Sequence, residues 1–131
     1  LKALSDCDAD GLFISPVIGS KKSGDFLTEI ILKSYQMMID KKIYPEHTVM
    51  LGGFNTYSRY SGPREAVFTA ICRKNFGCNS FIVGRDHTGV NQYYTNLDSK
   101  KLFDSLDMGI NIQFVDKVSY CKKRKSSLSK L

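Results

Sequence analysis

Short apolar runs and longer periodic stretches alternate along the chain, which predicts strands and helices in turn. The apolar runs lie at residues 12–14, 48–51, 80–83 and 110–115, and glycine, proline or polar residues bound them. Helical spacing of apolar residues fills the intervals between them. Strands that alternate with helices in this way predict an α/β fold with a parallel sheet.

Three helices are predicted between these strands. The first ends before Pro45, the second begins at Gly62-Pro63 and stops at a left-handed Gly77, and the third starts near Asp98. The residues expected to face inward are Leu27, Ile30, Ile31, Ser34 and Met38 in the first helix and Val67, Ala70 and Ile71 in the second, while Leu102, Phe103 and Leu106 share one side of the third.

The positive charge of the chain is concentrated at its end. The net charge is +6, yet residues 1–116 carry 13 basic and 13 acidic side chains, so the excess lies in residues 117–131. We therefore expect a domain at residues 1–116 and a basic C-terminal segment at 117–131, either the end of the domain or a flexible tail. Such a segment could bind nucleic acid through the phosphates, and this function stays open as an alternative, but it is not expected. No apolar stretch is long enough to cross a membrane, so no membrane partner is expected.

The cysteines do not predict a disulfide framework or a zinc site. There are four of them, without C-x-x-C spacing, and only two histidines, His47 and His87. Reduced thiols and a cytoplasmic location are the expectation.

Three segments that follow predicted strands carry groups suited to anions. Residues 19–25 combine two glycines with Lys21 and Lys22, although an ordinary surface turn explains them as well. Arg59 and Arg64 flank the start of the second helix, whose free N–H groups can hold an anion, and helix capping with an Arg64–Glu65 surface ion pair is the equal alternative.

The third segment is the strongest candidate. It places Arg85, Asp86, His87 and Thr88 between Gly84 and Gly89, directly after a strand. Glycines at both ends allow a ligand to approach the backbone, while arginine, histidine and backbone N–H groups stabilise negative charge. Packing alone does not explain four different polar side chains in such a turn.

Taken together, these motifs resemble ATP sulfurylase (sulfate adenylyltransferase). The carriers are G-x-x-K-x-G-D at residues 19–25, Y-S-G-P-R-E-A at 60–66, R-K-N-F-G-C at 73–78 and F-I-V-G-R-D-H-T-G-V at 81–90. Order and spacing fit from about Asp10 to Cys121. The resemblance implies the central part of a catalytic domain, an N-terminally truncated fragment of a Rossmann-like, nucleotidyltransferase-type α/β domain. It further implies that the intact protein joins ATP and sulfate into adenylyl sulfate and pyrophosphate, or runs the reverse reaction.

The resemblance also implies roles for single residues. Arg85 and His87 would be catalytic; Gly84, Arg85, Asp86, His87 and Ser119 would bind the nucleotide; and Thr88 and Gly89 would contact sulfate. Lys22 and Arg64 would give supporting positive charge. ATP would act with Mg²⁺, and a homo-oligomer of the intact parent is one arrangement open to it.

The sequence departs from the family pattern at several places. The Gln-x-Arg-Asn-Pro-x-His-x-x-His signature, expected just upstream of Leu1, is absent, so this chain alone is expected to be inactive. Ser15, Thr69 and Ser80 stand where the family commonly has histidine, and Thr88 stands where it has alanine. Relatives with zinc have C-x-x-C where this chain has Cys121-Lys122-Lys123-Arg124, so no zinc is expected. A non-catalytic nucleotide-binding homologue is the alternative.

Overall fold

The computed structural model describes Leu4 and residues 7–20, 23–84, 96–115, 118–121 and 126–129; of 96–97, 118–121 and 126–129 it describes the backbone. The strands are β1 (Leu12–Ile14), β2 (Val49–Leu51), β3 (Ser80–Val83), β4 (Asn111–Phe114), β5 (Val118–Cys121) and β6 (Ser126–Ser129). The helices are α1 (Thr28–Asp40), α2 (Pro63–Asn75) and α3 (Asn96–Asp104). The chain divides into two compact units, unit 1 (Leu1–Ser58) and unit 2 (Arg59–Leu131).

Unit 1 is built on the parallel pair β1–β2, with Phe13 opposite Met50. The pairing continues past the strands, because Val17 bridges Phe54 in parallel and the Gly19 N–H donates to the Thr56 carbonyl at 3.0 Å. Helix α1 connects the two strands and packs against β2. This is the strand–helix–strand unit that the alternation of patterns predicts.

Helix α1 lies where the sequence predicts it, but it is rotated relative to the expected stripe. Leu27 and Ile30 were expected to be buried, yet they are 68% and 52% exposed. Ser34 is exposed as well, and its hydroxyl donates to the Ile30 carbonyl. The half-buried residues of α1 also recur at helical spacing, but their stripe is shifted by about one residue from the predicted stripe: Thr28, Ile31, Leu32, Tyr35, Met38 and Ile39.

Unit 2 is built on a second parallel pair, β3–β4, with Ile82 opposite Gln113. Its core contains Ala66, Ala70, Phe81, Val83 and Phe103. The rings of Phe103 and Phe114 meet edge to face, with centroids 5.9 Å apart and an interplanar angle of 75°. The prediction of an α/β fold with parallel strands is therefore confirmed, with the parallel strands hydrogen-bonded in two pairs among the described residues.

Helix α2 packs against β3 and α3. The predicted inward residue Ala70 is fully buried and Val67 is partly buried, but Ile71 is 44% exposed, so its assignment was wrong. Ala66 takes the inward position instead, four residues before Ala70, because i and i+4 share a helix face. Gly77 has φ of +94°, as predicted for the left-handed stop.

Strands β5 and β6 form an antiparallel hairpin, with Val118 opposite Ser129. They lie in the basic C-terminal segment, for which no strand was predicted, because its serines and lysines lack an alternating apolar pattern. The division at residue 116 stays a prediction. Within the described residues, no helix has the length and apolar character needed to cross a membrane.

Candidate functional site

The topology of unit 2 brings the segment at the start of α2 and Gly84, the first residue of the third predicted segment, to one edge. Helix α2 and β3 are joined by the short turn at residues 76–79 and pack against each other, so they run in opposite directions. The start of α2 therefore lies at the same edge as the end of β3. We call this the carboxyl edge; its described members are the loop Arg59–Gly62, Arg64 and Gly84.

Gly84 follows the last residue of β3, the buried Val83, and is itself exposed. Among the described residues, no atom lies within 4 Å of a Cβ built on Gly84. Packing within the described residues therefore does not require glycine here. The open space leaves room for a ligand to approach the backbone, as the sequence predicts for the start of the Gly84–Gly89 turn.

A buried carboxylate shapes the loop at the start of α2. Glu65 is only 5% exposed, and its two oxygens accept hydrogen bonds from the backbone N–H groups of Arg59, at 3.0 Å, and Ser61, at 3.1 Å. Between and after these donors, Tyr60 and Gly62 have φ of +54° and +55°. Hydrogen bonds on both sides of Tyr60 repay the cost of its uncommon conformation.

The Glu65 contacts change the expectation for this helix start. A surface ion pair between Arg64 and Glu65 was the structural alternative, but Glu65 is buried and is held by backbone donors. Its carboxylate sits at the positive end of α2, where an external anion was expected to bind. Arg64 is exposed, so its side chain is the part of the motif that solvent ions can reach.

Arg59 contributes a second positive group to the same edge. Its guanidinium carbon lies 4.6 Å from the centroid of the Phe68 ring, a cation–π distance. Phe68 is one turn further along α2 than Glu65, which holds the Arg59 backbone. Arg59 is thus located by its backbone and by its side chain.

In unit 1 the two glycines of the lysine-containing segment have different roles. A Cβ on Gly19 would lie 2.1 Å from the Thr56 carbonyl oxygen, so only glycine allows this close approach of two backbones. Gly24 supplies the turn, with φ of +95°. Lys22 lies outside the described residues.

Most of the predicted site residues also lie outside the described part of the chain, namely Arg85, Asp86, His87, Thr88 and Gly89. Ser119 is described by its backbone in β5. Of the predicted site residues, the structure brings Gly84 and Arg64 to the carboxyl edge. Sequence reasoning missed the role of Glu65. Its place as the third residue of a helix that starts with proline was the signal, because a carboxylate there can reach back to backbone N–H groups of the preceding loop.

Unit 2 has other polar features that do not involve the described members of the carboxyl edge. A cavity of about 660 Å³ is lined by the end of α3 and by β4, and Phe103 and Asp107 contribute to its wall. Arg73 is buried and stacks on Phe76 at 5.9 Å. Burial lowers the pKa of the Arg73 guanidinium, partly opposed by the thiols of Cys72 and Cys78. Across the described ranges, no cluster of three or more His, Cys, Asp or Glu side chains is placed to hold a metal ion.

Comparison with known families shows to which family the chain belongs. The protein-family model described as ATP-sulfurylase matches residues 1–130. The chain belongs to the ATP-sulfurylase family. The resemblance that the motifs indicate is confirmed.

Curated relatives of the chain are named sulfate adenylyltransferase, which is another name for ATP sulfurylase. A sulfate adenylyltransferase of Staphylothermus marinus is 50% identical over 115 residues, which are 87% of this chain and 30% of that protein. One of Halothermothrix orenii is 47% identical over 117 residues, with the same shares, 87% and 30%. One of Cenarchaeum symbiosum is 44% identical over 124 residues, 94% of this chain and 32% of that protein. The chain thus spans about a third of the length of these relatives.

A solved structure shares the fold. It is titled hexameric APS kinase from Thiobacillus denitrificans, and it superposes with a TM-score of 0.70 over 97% of this chain and 23% of that chain, at 17% identity. The likeness agrees with the expected Rossmann-like, nucleotidyltransferase-type α/β architecture of an ATP-sulfurylase family member.

Proposed function

We propose that the protein containing this chain is a sulfate adenylyltransferase, which converts ATP and sulfate into adenylyl sulfate and pyrophosphate or catalyses the reverse reaction. The observation that carries the proposal is the family match over residues 1–130, which includes every segment that sequence reasoning selected for anion binding. The relatives named sulfate adenylyltransferase, at 44–50% identity, support it further.

The chemistry of the reaction fits the carboxyl edge. A sulfate oxygen attacks the α-phosphorus of ATP while pyrophosphate leaves on the opposite side, so the reaction needs no nucleophile from the protein. The protein has to align two anions and stabilise the charge that moves onto the leaving group. Exposed arginines next to an uncrowded glycine backbone are suited to this task.

Within this proposal, the residues after β3 carry the reaction. Arg85 and His87 stabilise charge in the transition state, and Gly84, Arg85, Asp86 and His87 bind ATP together with Ser119. Thr88 and Gly89 present backbone N–H groups to sulfate. Lys22 and Arg64 supply supporting positive charge.

Four further proposals concern cofactors, partners and location. ATP would enter as its Mg²⁺ complex, because the ion screens the triphosphate and is held mainly by phosphate oxygens. Zinc is not expected, since C-x-x-C is replaced at Cys121–Arg124. We also propose a cytoplasmic enzyme that forms a homo-oligomer, which light scattering of the full-length parent would test.

Sulfate-dependent release of pyrophosphate from ATP by the full-length parent is the direct test. We expect release only when both substrates are present, and Arg85→Ala should remove most of it while the melting temperature stays unchanged, because a charged residue in a loop adds little to the core. Lys101→Gln, an exposed lysine in the last turn of α3, is the matched control and should keep wild-type turnover. Wild-type turnover by Arg85→Ala would contradict the role of Arg85.

The same assay separates the alternative of a non-catalytic nucleotide-binding homologue. The positions Ser15, Thr69, Ser80 and Thr88, which depart from the common family pattern, favour that alternative. Such a protein would bind ATP in a calorimeter and yet release no pyrophosphate with sulfate.

A further inference from the structure

We propose that Arg59 is an additional oxyanion-binding residue of the carboxyl edge, and that Glu65 and Phe68 are the residues that position it. The ligand would be the phosphate chain of the nucleotide or the sulfate, so the inference rests on the proposed function for the identity of the oxyanion. Arg59 is not among the residues to which the family motifs led.

The backbone of Arg59 is held by the Glu65 carboxylate. The bond from the Arg59 N–H to Oε1 is 3.0 Å long, and the bond from the Ser61 N–H to Oε2 is 3.1 Å long. Because both oxygens of one buried carboxylate are used, the loop cannot rotate about Tyr60 without breaking a charge-assisted hydrogen bond. The Cα of Arg59 is therefore fixed relative to α2 before any ligand arrives.

The side chain of Arg59 is held by the Phe68 ring. The guanidinium carbon lies over the ring, 4.6 Å from its centroid, which is a cation–π distance. A guanidinium presents its N–H donors in a planar fork that suits paired hydrogen bonds with an oxyanion. Arg59 is exposed and Phe68 is 38% exposed, which lets a ligand reach the stack from solvent.

The charges of the edge fit an anion. Arg59 and Arg64 both lie at the start of α2, and the one acidic group described beside them, Glu65, is buried and hydrogen-bonded to backbone N–H groups. A cation–π contact at the surface adds only about 0.5–1 kcal/mol to stability. Pre-organisation of the arginine for a ligand is a use that matches the arrangement, since ordering it beforehand lowers the cost of binding.

The test compares Arg59→Ala, Arg59→Lys and Phe68→Leu in the full-length parent, with Lys101→Gln as the control at the opposite end of unit 2. Loss of a charge-assisted contact should raise the KM for ATP or for sulfate about 10- to 100-fold in Arg59→Ala, with a smaller change in kcat. Arg59→Lys keeps the charge but loses the planar fork, so its KM should lie between those of the wild type and Arg59→Ala. Phe68→Leu should raise the same KM a few-fold, because the arginine is present but no longer held.

The substrate whose KM rises identifies the oxyanion: ATP points to the phosphate chain and sulfate points to the second substrate. Wild-type KM values for both substrates in Arg59→Ala would overturn the inference while leaving the proposed function intact.

If the wild-type parent shows no turnover, the proposed function fails. Calorimetric titration with ATP, with inorganic pyrophosphate and with sulfate then decides the inference by itself: weaker binding of any of them to Arg59→Ala than to wild type supports it, and equal binding of all three or no binding overturns it. Circular dichroism of each variant checks that the fold is kept.

Discussion

A carboxylate that leaves water needs hydrogen-bond donors, because its hydration is lost on burial. Glu65 finds two of them in the loop that precedes its own helix, so one residue in the first turn of α2 orders residues 59–61. The backbone N–H of Glu65 is also hydrogen-bonded, since it donates to the Gly62 carbonyl at 3.0 Å. At this scale, the geometry of the candidate site depends on a side chain that never has to touch a substrate.

Replacement of Glu65 by alanine should therefore destabilise the chain. Two backbone N–H groups lose their acceptor, and each lost partner costs about 1–3 kcal/mol when it stays buried, so we expect a loss of at least 1 kcal/mol in the free energy of unfolding. Denaturant unfolding of the chain measures it. Glu46→Ala is the control, because Glu46 is exposed in a surface pair with Lys42 and should change stability by no more than about 1 kcal/mol. Equal effects of the two substitutions would contradict the role of Glu65 in holding the loop.

An added methyl group should change the stability of the chain at one glycine, Gly19, and leave it unchanged at another, Gly84. Gly19→Ala places a Cβ against the Thr56 carbonyl, and we expect it to lower the melting temperature of the chain, because two backbones must separate. The Cβ of Gly84→Ala would meet no atom of the described residues within 4 Å, so stability should stay near wild type. If Gly84 receives a ligand, the same substitution should weaken ATP binding by the full-length parent, measured by calorimetry. A stable Gly19→Ala, or a destabilised Gly84→Ala, would show that the two roles are misassigned.

The end of α2 shows how a helix passes into a strand within four residues. The Gly77 N–H donates to the Lys74 carbonyl at 2.8 Å and the Cys78 N–H donates to the Arg73 carbonyl at 3.0 Å, which is the paired pattern of a Schellman motif. This ending turns the chain back along α2, so β3 packs against the helix that precedes it. The placement of Gly84 beside the start of α2 follows from that reversal.

Gly77→Ala should weaken this reversal. A side chain at φ of +94° is strained, and we expect a loss of about 1 kcal/mol or more in the free energy of unfolding. Gly77→Asn is the matched variant and should cost less, because asparagine tolerates left-handed conformations better than alanine. Chemical denaturation of both proteins gives the comparison, and an alanine variant as stable as wild type would contradict the assignment.

The sequence predicts the elements of the chain better than it predicts which side of each helix is inside. Apolar runs and glycine or proline boundaries located β1 to β4 and the three helices, because these signals are local. The rotation of α1, with Leu27 and Ile30 exposed, depends on the neighbours that the helix meets in three dimensions. The β5–β6 hairpin was missed for a related reason: its strands pair with each other without an apolar pattern.

At the scale of the molecule, the candidate site shows a similar limit. Family motifs along the sequence pointed to Gly84, Arg64 and their neighbours, because chemically unusual residues stand out in one dimension. The contacts of the Glu65 carboxylate and of Arg59 with Phe68 join residues four to nine positions apart, around a loop in which two residues have positive φ. Such contacts become visible when the backbone path is known.

The two units differ in how much side-chain surface they bury, and this predicts different local stability. The buried apolar residues Ala66, Ala70, Phe81, Val83 and Phe103 all belong to unit 2, whereas no described residue of unit 1 reaches that degree of burial. Regions with few buried apolar contacts open more readily. We therefore expect backbone amides of α2 and β3 to exchange with deuterium more slowly than those of α1 and β2 in the isolated chain, after correction for intrinsic rates. Phe81→Ala should remove this difference in exchange rates, because it takes a large side chain from the core of unit 2. Met50→Ala, at a position 64% exposed, should leave the difference unchanged.

Equal protection of the two units in the wild-type chain would mean that contacts other than this core set their stability.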